Sequence, residues 1–218
     1  QAGIKLQNTK RKTFKLNNYF KVQEGDSIIE FFPQNTLEIE VDIDYNSNVL
    51  KPQKAILKNI KDFKLEIAPA RTFCFLHELS QLVNAKLIKG GNINNAVVFV
   101  EKNTPISELG EFKKSLQPKT KTISQGVLND VKMLYQNEQA KHKLLDLIGD
   151  MALAEYAIKG KIIATKPGHK INILFTQELL AQILNNMNNM NKQPIMKIDE
   201  IKKILPHREP FLFIDEII

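Results

Sequence analysis

An α+β fold is expected for this chain, on three features of its 218 residues. Residues 35–45, "NTLEIEVDIDY", alternate without a break. Leu37, Ile39, Val41 and Ile43 face one way and Glu38, Glu40, Asp42 and Asp44 the other, the period-two signature of a strand buried on one face. Residues 142–150, "HKLLDLIGD", instead space His142, Asp146 and Asp150 four apart. At about 3.6 residues per turn, that spacing keeps them on one slowly drifting helical stripe. Strand-like and helix-like segments mix without strict βαβ alternation, which favours α+β over a parallel α/β fold.

Taken in order, 13–24 and 27–32 alternate enough to be strands, with the Glu24-Gly25-Asp26 turn between them. The strand at 35–45 follows, and then "DFKLEIAPA" (62–70), read as a strand ended by Pro69. The next stretch reads as a strand end at 70–75, a short helix at 76–84, a Gly90-Gly91 turn and a strand at 95–101. Residues 103–126 are polar and proline-punctuated, a loop excursion. A helix over 138–156, a strand at 159–166, a turn at Pro167-Gly168-His169 and an amphipathic helix at 171–186 complete the pattern. "NNMNNMNKQP" (185–194) has the composition of a linker. The tail from Met196 starts afresh, with a short helix broken by Pro206 and a following strand.

Composition is that of a globular protein, with 43% hydrophobic and 25% charged residues. No apolar run has the length of a membrane span, no signal-peptide pattern opens the chain, and the single Cys74 excludes an internal disulfide framework and fits a reducing cytosol. The formal charge of +7 suits an anionic partner without choosing one. Apart from Lys10-Arg11-Lys12 the lysines are scattered, with no interleaved aromatics of a nucleic-acid platform.

Three constellations carry chemistry. His142 and Asp146, one turn apart, can both reach one borderline cation, zinc being the usual choice; taken alone, the pair reads first as a helical ion pair. "KPGHK" (166–170) sets His169 at a strand-to-helix turn, where Gly168 permits unusual backbone angles or close approach of a ligand. The helix dipole there disfavours imidazolium and a carboxylate would favour it, with Asp150 the natural candidate; a capping or surface histidine is the equal alternative. "ARTFCF" (70–75) offers the Thr72 hydroxyl to a developing oxyanion and the Phe73 ring to a substrate, or else a strand-edge threonine and a core aromatic.

"ARTFCF", "GGNINNAVVF", "NEQAKHKLLDLIGD" and "KPGHKIN", in this order, resemble the second domain of the zinc-dependent UDP-3-O-acyl-N-acetylglucosamine deacetylases of lipid A synthesis. "IDEIKKILPHREPFLFIDEI" resembles the start of the 3-hydroxyacyl-[acyl-carrier-protein] dehydratases, a fusion known in Bacteroidetes-type bacteria. The resemblance implies a two-layer α/β sandwich with a small β–α–β insert, and a tail that begins a hot-dog fold. Its implied boundaries are 1–12 for the end of a missing first domain, 13–185 for the second domain, 186–197 for an Asn-rich linker and 198–218 for the dehydratase start.

It further implies that His142 and Asp146 ligate Zn2+, with Lys143 on the polar head of the substrate and Thr72 on the oxyanion. His169, kept charged by Asp150, would protonate the leaving amine. Phe73 would meet the sugar, and Phe75, Leu79, Ile88, Ala96 and Val98 would line the acyl passage. The reaction is metal-assisted amide hydrolysis on a small-molecule substrate, with acyl carrier protein as partner of the dehydratase part. The location would be cytoplasmic, with no nucleic acid or membrane span, and oligomerisation would run through the complete dehydratase domain.

Here the chain departs from the pattern. The family's third zinc ligand and its glutamate base come from a histidine-rich first-domain motif that these residues lack. Neither His77 nor His207 replaces it. Both ends are therefore expected to be cuts, and the chain alone to be inactive. The alternative is a non-catalytic basic module that binds nucleotide or nucleic acid.

Overall fold

The computed structural model describes residues 11–78, 96–105, 122–128, 131–191, 196–197 and 216–217. The chain divides into two compact units, Gln1–Thr176 and Gln177–Ile218.

The first unit is built on a six-stranded sheet. Its strands are β1 (Thr13–Lys15), β2 (Phe20–Glu24), β3 (Ser27–Phe32), β4 (Leu37–Ile43), β5 (Gln53–Leu57) and, much later in the chain, β11 (Ala157–Thr165). β11 is central: β3 pairs antiparallel on one side and β4 parallel on the other, with β2 and β5 beyond them. β1 continues the β3 edge, parallel to the start of β11. The alternation that predicts the 35–45 strand is realised in β4, where Ile39, Val41 and Ile43 are buried. On the opposite face Glu38 and Glu40 pair with Lys161, and Glu40 also with Lys54. Such cross-strand pairs keep the outer face wetted while the inner face packs.

Helix α2 (Glu138–Met151) and the first two turns of α3 (His169–Asn191) lie on the inner face. α2 contributes Ala140, Leu144, Leu147 and Met151 and α3 contributes Ile171 and Phe175, all buried. Phe20 stacks between Phe31 and Phe175, at 5.1 and 5.3 Å between ring centroids. A second, three-stranded sheet joins β6 (Thr72–Phe75), parallel to β7 (Ala96–Val100), with β10 (Gly126–Val127). A parallel pair needs a crossover; Leu76–Glu78 begin it as helix. The rest of the expected 76–84 helix and the Gly90-Gly91 turn lie outside the described residues.

Several expectations need correction. The 13–24 strand is two strands, broken so that Leu16 can be buried while β2 moves to the sheet edge. The 62–70 segment is not a strand: Ile60–Asp62 form a 3-10 turn that runs into α1 (Phe63–Glu66). The Asn59 side chain caps that turn at the Lys61 N–H, 3.0 Å away. Instead of sharing a strand face with buried Ile67, Leu65 is 76% exposed. The 103–126 excursion carries short ladders at its described ends: β8 (Thr104–Pro105) pairs with β9 (Thr122–Ile123). The helix expected at 138–156 ends at Met151, and Ala152–Ala154 continue as 3-10 turn. α3 runs to Asn191, so the first six residues of the expected 186–197 linker are helical.

In the second unit, α3 continues from Gln177, and β12 (Met196–Lys197) pairs with β13 (Glu216–Ile217). His207, Pro206 and most of the dehydratase-like tail lie outside the described residues.

Candidate functional site

The stripe on α2 is longer than the sequence reading made it. Glu138, His142, Asp146 and Asp150 follow one another at one-turn intervals, and each meets a partner from another segment or the next turn. β5 fixes the start of this helix. Gln53 donates to Gln139 Oε1 at 2.9 Å and accepts the Ala140 N–H at 3.1 Å, while Asn137 donates to the Lys54 carbonyl at 2.7 Å.

The Nδ1 of His142 lies 3.2 Å from the Ala70 carbonyl. A carbonyl only accepts, so Nδ1 donates to it and Nε2 is the ring nitrogen turned toward the site. Nε2 lies 3.5 Å from Asp146 Oδ1, and both side chains are mostly buried, at 15% and 12% exposure. Lys143 reaches Asp146 Oδ2 at 3.5 Å and lies 5.5 Å from the centre of the Phe73 ring. Phe73 also meets the His142 ring edge-on, with centroids 6.4 Å apart. An imidazole backed by a carbonyl, beside a carboxylate, is the donor set that suits a borderline cation. Among the described residues no third histidine, cysteine or carboxylate completes a metal-binding group. The residues present therefore fit two of the three protein ligands usual for catalytic zinc.

One turn further on, Asp150 Oδ2 accepts from His169 Nδ1 and from Asn172 Nδ2, each at 2.9 Å. The sequence alone does not mark Asn172; it is fully buried, and its Oδ1 has no hydrogen-bond partner among the described residues. The visible signal was its position one turn after His169 on the same helix. The turn before His169 also differs from expectation. Its left-handed residue is Lys166, at φ 50°, not Gly168. The Lys166 N–H donates to the Asp42 carbonyl at 2.8 Å, and its carbonyl accepts the Ser27 hydroxyl at 2.8 Å. Those two bonds hold a conformation that costs a β-carbon-bearing residue roughly 1 kcal/mol. A side chain at Gly168 would meet no protein atom within 4 Å.

Strand β6 carries the remaining candidates. Thr72 is exposed at its start. Register places Phe73 opposite Val97 and Phe75 opposite Phe99 on one face, and Thr72 opposite Ala96 and Cys74 opposite Val98 on the other. Phe75, Val97 and Phe99 are buried with Leu50, and Phe73 packs against them. The residues expected around the acyl passage are therefore divided: Phe75 faces this cluster, while Ala96 and Val98 share the Thr72 face. Leu79 and Ile88 lie outside the described residues. Tyr45, which the sequence reading also missed, sets its ring edge-on to Phe73 and Phe75 at 5.8 and 6.0 Å. Burial, with the charges of Glu78 and Asp146 added, pushes its hydroxyl up to about 12. Cys74 is likewise pushed up to about 11, chiefly by burial and then by Glu78.

Arg71 and Glu138 form the most buried ion pair among the described residues, with the Glu138 side chain fully buried. Burial pushes the Glu138 carboxyl up. The Arg71 guanidinium and the N–H groups of Leu134 and Arg71 outweigh it and hold the group below the usual carboxylate range. His77 stands apart, stacked on Phe75 and 3.7 Å from Glu101.

The chain is similar in sequence to known proteins. Residues 1–115 and 114–181 match the family model of UDP-3-O-acyl N-acetylglycosamine deacetylase. A bifunctional enzyme LpxC/FabZ of Porphyromonas gingivalis is 38% identical over the whole chain, which covers 49% of that protein. The Bacteroides thetaiotaomicron protein of the same name is 36% identical over 91% of the chain and 44% of its own length. The UDP-3-O-acyl-N-acetylglucosamine deacetylase of Syntrophotalea carbinolica is 31% identical over 83% of the chain and 52% of its own length. The chain thus spans about half the length of the curated relatives it matches. On the ordered match through residue 181, the chain belongs to the UDP-3-O-acyl N-acetylglycosamine deacetylase family.

Proposed function

We propose that this chain supplies one half of the catalytic centre of a zinc amidohydrolase. It would remove the N-acetyl group of UDP-3-O-acyl-N-acetylglucosamine, a step of lipid A synthesis. The single observation that carries this reading is the His142–Asp146 pair: an imidazole oriented by the Ala70 carbonyl at Nδ1, with Nε2 3.5 Å from a carboxylate oxygen. These two residues would hold the zinc, with a third ligand from a segment outside this chain. When bound, the ion supplies Lewis acidity toward the amide carbonyl and acidifies a water. The Thr72 hydroxyl donates to the oxygen that gains charge as the carbonyl is attacked. His169 has its Nδ1 engaged by Asp150, which leaves Nε2 to deliver a proton to the departing amine. Asp150, held in turn by Asn172, orients that ring. The Lys143 ammonium, beside Phe73, meets the polar head of the substrate. Of the acyl-lining candidates, Ala96 and Val98 lie on the Thr72 face and Phe75 on the other, so the passage draws on the former pair first.

Residues 198–218 would open a fused 3-hydroxyacyl-[acyl-carrier-protein] dehydratase that takes acyl carrier protein as partner. In support, the family match ends at residue 181 whereas the match to the bifunctional Porphyromonas protein covers the whole chain. No helix among the described residues is long and apolar enough to cross a membrane, and the enzyme is proposed to act in the cytoplasm. Turnover of the acylated sugar nucleotide by the full-length protein tests the reading. His142→Ala and Asp146→Ala should each lose at least about a hundredfold in kcat/KM, a loss in the range set by removing a directly acting group. Retention of wild-type turnover by both variants overturns it.

A further inference from the structure

We infer that Glu138 is a positioning residue for this site: it orients the Ala70–Arg71 peptide so that the peptide's carbonyl fixes the tautomer of His142. The inference rests on the zinc-site reading above. The Ala70 carbonyl and the Arg71 N–H belong to one planar peptide group. Helix α2 engages both ends of it. The carbonyl accepts from His142 Nδ1 at 3.2 Å, and the N–H donates to Glu138 Oε1 at 3.1 Å. Glu138 and His142 are one turn apart on the same helical stripe, so their spacing matches the two ends of the peptide. Because the group is rigid, the carbonyl cannot swing away from the imidazole without pulling its N–H away from the carboxylate.

Other bonds fix the carboxylate itself. Its Oε1 also accepts from Arg71 Nε at 2.7 Å, and its Oε2 accepts from Arg71 Nη2 at 2.9 Å and from the Leu134 N–H at 2.7 Å. Arg71 Nη2 in turn donates to the Lys132 carbonyl at 2.8 Å. The guanidinium is thus turned along the 132–138 segment, leaving backbone positioning as the contact with His142. An ion pair whose carboxylate is fully buried and whose guanidinium is largely so returns little net stability compared with apolar residues of equal volume. Its location one turn before a candidate ligand is accounted for by orientation of that ligand, in the way outer partners of metal-bound histidines act.

The test uses the full-length protein in three forms. Glu138→Leu/Arg71→Met removes the acceptor without leaving a buried charge alone. Arg71→Lys keeps the backbone N–H and the carboxylate. His142→Ala tests the underlying site. In metal-free protein, long-range 1H–15N spectra should show His142 as the Nδ1–H tautomer in the wild type and in Arg71→Lys, and as a tautomer mixture in the double variant. The double variant should also bind zinc roughly tenfold more weakly and lose at least tenfold in kcat with less than a twofold change in KM. A folded double variant that keeps the single tautomer and wild-type zinc affinity overturns the inference. So does an Arg71→Lys variant with mixed tautomers, which remains readable if the double variant fails to fold. Normal turnover by His142→Ala would instead overturn the site reading beneath it.

Discussion

Replacement of Gly160 by alanine measures how tightly the central strand of the main sheet is packed. Gly160 lies in β11, buried against Phe31 of the neighbouring β3. A β-carbon built there would fall 2.2 Å from Phe31 Cε2 and 2.3 Å from Cζ. Ordinary carbon contacts lie at about 3.5–4.0 Å, so the ring must retreat by more than about 1 Å. It has no easy direction. Phe31 is fully buried and stacks on Phe20, which stacks on Phe175 of α3, so a retreat is passed along the stack. Overpacking of a filled core costs about 1–3 kcal/mol, sometimes more, and the gain of alanine over glycine in a strand returns only about 0.5–1 kcal/mol. The expected loss is about 2 kcal/mol, which at an m-value of about 2 kcal/mol/M lowers the urea midpoint by roughly 1 M. Phe31→Leu in the same chain should relieve the clash, with a favourable coupling of about 1 kcal/mol in the double-mutant cycle. A Gly160→Ala chain within about 0.5 kcal/mol of wild type, or a cycle without coupling, refutes the reasoning.

Further outcomes follow from the same geometry. Glu138 is held below the usual carboxylate range, so its contribution to stability is complete above the unfolded value, about 4.3, and is lost as pH falls through the lower folded value. Glu138→Gln should therefore cost about 3 kcal/mol at pH 7, and the gap in urea stability should narrow progressively as pH falls below about 4.3; a gap that does not narrow contradicts the pairing. Gln53→Ala removes two of the three bonds that fix the α2 start and leaves the buried Gln139 Oε1 without its donor, a loss of about 1–3 kcal/mol in the same assay. The Cys74 thiol, pushed up to about 11 by burial, should react with a disulfide reagent at pH 8 roughly a hundredfold more slowly than a free cysteine. Equal rates would mean that the thiol is neither buried nor shifted.

Much of the fold was legible because burial on one face writes itself into spacing. The alternation of β4 and the one-turn stride on α2 both appear in the strands and helices that bear them. The misread segments are those where local bonding overrides that pattern. Phe63, Leu65 and Ile67 alternate like a strand, yet the Asn59 cap starts a helical turn and leaves Leu65 in water. β5 went unread because only Ala55 and Leu57 of "QKAIL" are buried, too few to set a period. At the site, the histidines and aspartates stand out by residue type, whereas Glu138 and Asn172 look like ordinary surface polar residues. What marks them is position, one turn before His142 and one turn after His169, and their roles depend on the Ala70–Arg71 peptide and on Asp150, contacts that only the tertiary structure brings together.

The most direct test of the two-ligand half-site is the zinc dissociation constant of the full-length protein, measured by competition with a chromophoric chelator, before and after His142→Ala. Loss of a directly bound imidazole predicts affinity at least about a hundredfold weaker, beyond the roughly ten- to hundredfold that outer partners contribute. Affinity within about twofold of wild type, in a variant that still unfolds cooperatively, would contradict the assignment of His142 Nε2 as a metal donor.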